Sequence, residues 1–477
     1  MTSARRPEGS LSRSSVLSPE RAWQGELTVG WVAVIIAGHG VYGLLLARSA
    51  ALVTVHALMT FAIGIWFAMT GPMRRVAVVC AYMAGSEVLW RLGHASLPWE
   101  FVKYGICVLV VITLSRIPRL RWDWPAVMYF ALLVPSTLMS FSEHDFAFAR
   151  QQVSFNISGP LVLAASTWFF AFLKPSRADA QRMFVAVLAP VMSLALIALT
   201  KTASLGELSF SNASNFQTSA GYGPNQVSTV LGFGVLLALL LALMVERGAK
   251  ARAFYSLAAV FLGIQSAMTF SRGGLLGALG ALLIASPLLL HGVRSRMGLL
   301  IGAVALVAVV ETVVLPRLDE LTGGALVTRF SDTNPTGRDE LIRTELESFT
   351  QHPIFGTGPA ALDEYGEYQS SAHTEFTRLL AQHGVFGALA LSAMLLIGWR
   401  DVSGQLSREG RALSLALIAW SLLTMTHAAM RLALAPFAFG MAAALFFPRN
   451  PALRVSTTVQ ERTEVSAAEA DAAGSRA

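Results

Sequence analysis

Of the chain's 477 residues, 54% are hydrophobic and only 14% are charged, and the mean hydropathy is +0.56. A soluble domain carries about 25% charged residues, so this chain lacks the polar cover for a water-facing surface, and its length reads as one membrane domain rather than two or three soluble ones. The formal charge of +7 and the pI near 9.7 could suggest nucleic acid as a partner, but the placement of the basic residues accounts for them without it.

Apolar stretches of roughly 17–23 residues, the length a helix needs to cross a bilayer, occupy 27–47, 50–70, 76–91, 99–115, 124–141, 157–173, 183–200, 224–245, 253–270, 273–290, 297–315, 374–398, 411–428 and 431–447. The weakest are 76–91, which holds Ser86 and Glu87, and the closely spaced last pair. With the N-terminus inside, Arg74/Arg75, Arg116/Arg119/Arg121, Lys174/Arg177/Arg182, Arg247/Lys250/Arg252, Arg294/Arg296 and Arg400/Arg408/Arg411 all fall on the cytoplasmic side. Counting the tails, 24 of the 36 Lys and Arg lie there, and short loops on the other face carry one or none each. That bias sets orientation. The sequence thus predicts an all-α integral membrane protein of about fourteen transmembrane helices. It has cytoplasmic polar tails at 1–26 and 449–477, a membrane domain over 27–448, and one large periplasmic loop, 316–372, carrying a short surface helix.

The run 27–47 is too long for the apolar core of a cleaved signal peptide, and further spans follow at once. Cys80 and Cys107 fall inside predicted spans and read as small packing residues rather than a disulfide or metal pair. The sequence shows no P-loop, no H-E-x-x-H and no paired C-x-x-C, so neither a cofactor nor a metal is expected. It also lacks a convincing internal repeat, which weighs against an inverted-repeat transporter.

Two segments on the non-cytoplasmic side do more than connect spans. One is 201–223, running into Gly221-Tyr-Gly-Pro-Asn-Gln226, where Asn225 is a secondary site candidate. The other is 316–372, and long loops of this kind are usually functional. Within it, Asn334-Pro335 breaks the chain, Thr336 and Asp339 resemble a capping box, and 338–351 is amphipathic with Leu341, Ile342, Leu346 and Phe349 on one face. Pro353 ends that stretch and Gly356-Thr-Gly358-Pro359 makes a turn. The loop holds ten Asp/Glu against four Arg, so its arginines stand out. Beyond it, His373 opens the next span in the run His373-Thr-Glu-Phe-Thr-Arg-Leu-Leu-Ala-Gln-His-Gly384-Val-Phe-Gly387. Ser271-Arg-Gly-Gly274 is a hairpin short enough to hold Arg272 at the outer face. One His and several Arg, including Arg338 and Arg343 of the surface helix, can therefore converge on one face, and ionisable residues at such depth suggest function. Each also has a plainer reading: His373 as an interfacial residue, Arg272 as a snorkelling head-group binder, Arg338 as the partner of Glu345 or Asp339. His383 beside Gly384 reads as a helix bend, and Lys201 and Arg431 as boundary residues.

Together, Thr269-Phe-Ser-Arg-Gly-Gly274, the Arg338-led helix ending in Pro353-Ile-Phe-Gly-Thr-Gly358, and His373 followed by Gly384-x-x-Gly387 resemble the O-antigen ligase and polymerase superfamily. The resemblance covers about 221–398, and the Gly-Tyr-Gly-Pro-Asn-Gln run resembles a segment of polymerase-like members. It implies a glycosyltransferase at the outer face of the bacterial inner membrane, taking a polyprenyl-diphosphate-linked glycan donor. The acceptor hydroxyl lies on lipid A core for ligases or on another lipid-linked repeat for polymerases. The family pattern places a catalytic His at His373 and diphosphate-binding Arg at Arg272 and Arg338, with Arg343 beside them. The chemistry agrees: Arg holds a leaving diphosphate bidentately without losing charge, doing the work a divalent cation does elsewhere. A His base suits neutral pH, with Glu375 the alternative base. About fourteen spans favour a polymerase over a ligase. A transporter or flippase would instead bury charges at mid-membrane in broken helices. Membrane lipids, a flippase and a chain-length regulator are the other partners to expect.

Overall fold

The computed structural model describes residues 25–204, 214–245, 248–289, 312, 315–331, 338–360 and 374–448. Among these the regular structure is helical. The helices are α1 (Val29–Leu46), α2 (Ala50–Thr70), α3 (Met73–Leu92), α4 (Phe101–Ser115), α5 (Trp124–Ala131), α6 (Val134–Glu143), α7 (Phe146–Phe170), α8 (Arg177–Ser204), α9 (Pro224–Leu240) and α10 (Ala249–Met268). They continue with α11 (Gly273–Leu289), α12 (Leu315–Thr322), α13 (Ala325–Ser331), α14 (Arg338–Gln351), α15 (Glu375–Ser403), α16 (Arg408–Met425) and α17 (Leu434–Met441). The predicted stretches fall on helix with two exceptions: 297–315, most of which lies outside the described residues, and 431–447, which holds only the eight-residue helix Leu434–Met441. Seven helical segments are both long and apolar enough to cross a membrane: Val29–Leu46, Ala50–Thr70, Trp124–Glu143, Phe146–Phe170, Arg177–Ser204, Pro224–Val245 and Glu375–Ser403. The chain is a multi-pass membrane protein.

Local chemistry sets the helix limits. Thr28, Ser49, Asp145, Thr374 and Ser407 cap α1, α2, α7, α15 and α16, each side chain accepting from a backbone N–H of the first turn. Gly71-Pro72 separates α2 from α3, as a helix-ending glycine before a proline should. The stretch predicted at 124–141 is interrupted at Leu132–Leu133, just ahead of Pro135 in the first turn of α6. The stretch predicted from 157 starts earlier, at Phe146, because Asp145 supplies its cap. The loop expected at 316–372 holds, besides the surface helix at 338–351, two short helices, α12 and α13, that its sequence did not announce.

Burial accounts for the polar residues of the weakest predicted stretch, whose helix is not among the seven long apolar segments. Helix α3 carries Ser86 and Glu87, yet it is buried almost throughout, packed among α2, α4 and α8. In contrast, α1 and α2 leave most of their apolar surface exposed, as a lipid-facing helix should. Glycines allow the tightest crossing: α9 and α11 touch backbone to backbone, since a Cβ on Gly232 would collide with the carbonyl of Gly274, and one on Gly274 with that of Ser228.

Segments expected on the same side of the membrane meet one another. At one end, Arg116 Nη1 donates to the carbonyls of Ala68 (2.8 Å) and Gly71 (3.1 Å), Arg177 pairs with Glu409 (2.5 Å), Arg400 pairs with Asp123 (2.6 Å), and Arg408 donates to Pro287 O (2.5 Å). At the other, Lys201 donates to Ala220 O (3.0 Å), Asn215 N to Thr269 O (2.9 Å), Asn156 Nδ2 to Pro359 O (2.9 Å), and Met430 N to Glu375 Oε2 (3.2 Å).

Candidate functional site

The Pro353–Pro359 turn is built into a break in α15. Gly384 has φ +59° and ψ −137°, which only glycine adopts readily. The helix opens there, and its freed backbone groups are taken up by the turn: Thr357 N donates to Ala381 O (3.0 Å), Gly358 N to Gln382 O (3.0 Å), and Val385 N to Pro353 O (2.8 Å). Gly356 (φ +69°) and Gly358 (φ +79°) are required because a Cβ at the first would strike the Gln382 backbone and one at the second the Ser140 hydroxyl. His383, buried and bonded through Nδ1 to Ser136 Oγ (2.9 Å), is part of this bend.

Preceding that turn, α14 lies against the start of α15. Glu345, 4% exposed, accepts a hydrogen bond from Thr377 Oγ1, and Thr377 is in turn joined to the cap residue Thr374. Burial pushes the Glu345 carboxyl up to about 7, against the opposing influence of the Thr377 hydroxyl and nearby Arg378. Arg378 holds Glu375 through two N–H groups, one at 3.0 Å, and reaches Gln382 Oε1 (2.6 Å) and Asn156 Oδ1 (3.4 Å). A cavity of about 20 Å³ adjoins them, lined also by Met430 and Arg431.

The Ser271–Gly274 hairpin is fixed from three sides. Ser271 Oγ donates to Asn225 Oδ1 (2.8 Å), so the Gly-Tyr-Gly-Pro-Asn-Gln run sits directly beside Arg272. Arg329 of α13 donates to Phe270 O (3.2 Å), and Gly273 lies against the His427 imidazole, which would block any side chain there. His427 belongs to the turn 426–433 between α16 and α17, and this turn ties the cluster together. Its Met430 N binds Glu375, and its Ala433 N donates to Glu87 Oε2 (2.6 Å) on α3.

The site candidates are placed as follows. Arg272 and Asn225 are neighbours through Ser271, and Arg272 is half-buried with its own interactions. Arg338 begins α14, one helical stretch before Glu345, and Arg343 on the same helix is exposed. Glu375 is fully buried, its carboxylate engaged by Arg378 and Met430 N. Both its oxygens already accept from donors, so it is placed as a structural anion rather than a ready base. His373 lies outside the described residues, immediately before the cap of α15. Glu345, one of the two partners considered for Arg338, accepts from Thr377 Oγ1, and the Arg338 side chain lies outside the described residues.

Several functional-looking groups escaped the sequence reading. Arg378, Glu345, Glu100 and Lys103 are all at least nine-tenths buried. The signal was there: Glu87/Arg91, Glu100/Lys103 and Glu375/Arg378 stand three or four apart inside apolar helices, the spacing at which a helix presents a pair together. Arg431, taken for a boundary residue, lines the small cavity beside Glu375.

The described residues thus form an all-helical membrane bundle with arginine–carboxylate pairs buried within it. Residues 257–392, which span α10 to α15, match the family model described as O-antigen ligase. That match supports the O-antigen ligase and polymerase superfamily, whose members are glycosyltransferase-like enzymes, without separating ligase from polymerase. No curated protein matches the chain.

Proposed function

We propose that the protein is a membrane glycosyltransferase that moves a glycan from a polyprenyl diphosphate to an acceptor hydroxyl at the outer face of the bacterial inner membrane. Polymerisation of an O-antigen or exopolysaccharide is the preferred reaction, and ligation to lipid A core the second reading. The observation that carries the proposal is that the loop 316–360 touches two sites at one end of the bundle. Its α13 binds Phe270 beside Arg272, and its α14 binds Thr377 at the start of α15. We take these two contacts to gather Arg272, the Arg338 helix and His373 at one mouth. In this reading Arg272, Arg338 and Arg343 hold the leaving diphosphate, Asn225 fixes the Arg272 turn, and His373 takes the acceptor proton. The arginines need no added metal to neutralise the leaving charge. Polymerase is favoured over ligase by the sequence count of about fourteen spans.

The test is polymer formation in cells and in proteoliposomes. Arg272→Ala and Arg338→Ala should abolish it with the protein still folded, and Arg→Lys should rescue poorly because a point charge does not replace the bidentate fork. His373→Gln should stop transfer while donor binding persists, with a positioned base contributing about 10²–10⁴-fold. A chelator should leave activity unchanged. Full activity of the Ala, Lys and Gln variants alike would remove these residues from the chemistry.

A further inference from the structure

A second built feature lies outside the matched region, at the same end of the bundle. Where α3 passes into α4, a cleft of about 320 Å³ is lined by Glu87, Trp90, Arg91, His94, Ser96 and Trp99, among others. It is held in shape. Ser96 N donates to Thr54 Oγ1 (2.8 Å), Arg91 Nη2 donates to Trp99 O (2.9 Å) and pairs with Glu87 (2.6 Å), and the Arg91 guanidinium lies 4.3 Å from the centre of the Trp99 ring. The Trp99 ring is 54% exposed, whereas the Arg91 side chain is 7% exposed and its Nε and Nη1 have no hydrogen-bond partner of normal geometry. Just behind, Lys103 pairs with Glu100 at 2.7 Å, both buried, and Ser158 bonds to each.

Three properties of this cleft point to one ligand chemistry. Its charges are balanced, one carboxylate to each cation, so it differs from the arginine-rich mouth and does not suit a diphosphate. It offers fixed donors and acceptors side by side, which suit hydroxyl groups. It also presents an aromatic face, which suits the apolar side of a sugar ring. Its position fits as well. Tyr222 approaches Arg91 from the Gly-Tyr-Gly-Pro-Asn-Gln run, and Asn225, three residues later in that run, bonds to Ser271 beside Arg272. One short segment therefore abuts both the cleft and the arginine turn. Ala433 N on Glu87 makes a second link, through the turn that carries Met430 and His427.

We infer that the Glu87/Arg91/Trp99 cleft is a saccharide-binding subsite, which takes an uncharged, hydroxyl-rich sugar unit of the glycan while its diphosphate end lies at Arg272. Its assignment to the substrate glycan rests on the transferase reading above; sugar binding itself does not require turnover.

The test uses the full chain in detergent and saturation-transfer NMR. The probe is the phosphate-free repeat oligosaccharide released by mild acid from the producing cell's own surface polysaccharide. The two variants are Trp99→Ala and Ser96→Trp, both at exposed positions. Trp99→Ala should weaken binding roughly three- to tenfold, the worth of one aromatic contact, and Ser96→Trp should fill the cleft and abolish it. Arg272→Ala should bind the oligosaccharide like the parent. No saturable binding up to about 10 mM, parent-like binding by both cleft variants, or displacement of the sugar by inorganic diphosphate would each overturn the subsite. If binding is lost in the cleft variants while Arg272→Ala still makes polymer, the subsite stands and the role given to Arg272 falls.

Discussion

Gly384→Ala should release the Pro353–Pro359 turn from α15. Two costs add. At φ +59° and ψ −137° a residue with a Cβ is held in a region that costs about 1–3 kcal/mol. That Cβ would also run into the Ile354 carbonyl and the Gly356 nitrogen, so the turn must withdraw. Withdrawal breaks up to three backbone hydrogen bonds, Thr357 N to Ala381 O, Gly358 N to Gln382 O and Val385 N to Pro353 O, each worth about 0.5–1.5 kcal/mol net. Because giving up the bonds relieves part of the strain, the two costs are alternatives in part, and the expected loss is about 3 kcal/mol. Thermal unfolding of the purified protein in detergent should show a lower midpoint. Limited proteolysis should cut the 316–372 loop faster, since this turn anchors it. Gly356→Ala attacks the same contact from the other side, so the double variant should cost clearly less than the sum of the two. An unchanged midpoint for Gly384→Ala, or additive losses, would refute the docked-turn account.

Removing one partner of the buried Glu375–Arg378 pair, by Glu375→Gln or Arg378→Met, should cost about 3–5 kcal/mol by stranding the other charge. The double variant should recover more than half of the summed loss, and a thermal double-mutant cycle without that recovery would show the pair is not coupled. Glu345 has a folded pKa of about 7, raised above the ordinary 4.5 by burial. The folded state therefore holds its proton longer than the unfolded one, and stability falls as pH rises from about 4.5 to 7, by about 3 kcal/mol from this group. Glu345→Gln should thus stabilise the protein at pH 8 and make little difference at pH 4.5, as read by melting curves at the two pH values; a pH-independent effect would contradict the burial. Cysteine labelling at Ser348 should proceed from outside intact cells and labelling at Lys250 should not, because the basic loops fix the orientation; equal outside labelling would overturn the placement of the whole site.

The order of helices was legible because transfer into lipid depends on runs of apolar residues, which are local in sequence. The same holds for the helix at 338–351 and for the bend at Gly384, since each is set by a few neighbouring residues. The distribution of Arg and Lys groups segments into two sets, and members of each set do meet, which leaves the sidedness itself to the labelling test. What the sequence left open is which polar residues face one another. Arg378 and Lys103 have Glu375 and Glu100 three residues away on the same helix, but only the fold buries these pairs and brings Met430 N and Ser158 to complete their bonding. Glu345 lies thirty-two positions from Thr377, and Glu87 lies 346 from Ala433. No periodicity connects such positions, because a hydrogen bond depends on approach in space and the bundle alone brings those backbones together. The cleft at Arg91 and Trp99 is of the same kind: its walls are close in sequence, but its link to Arg272, through Tyr222, Asn225 and the 426–433 turn, exists only in the packed fold.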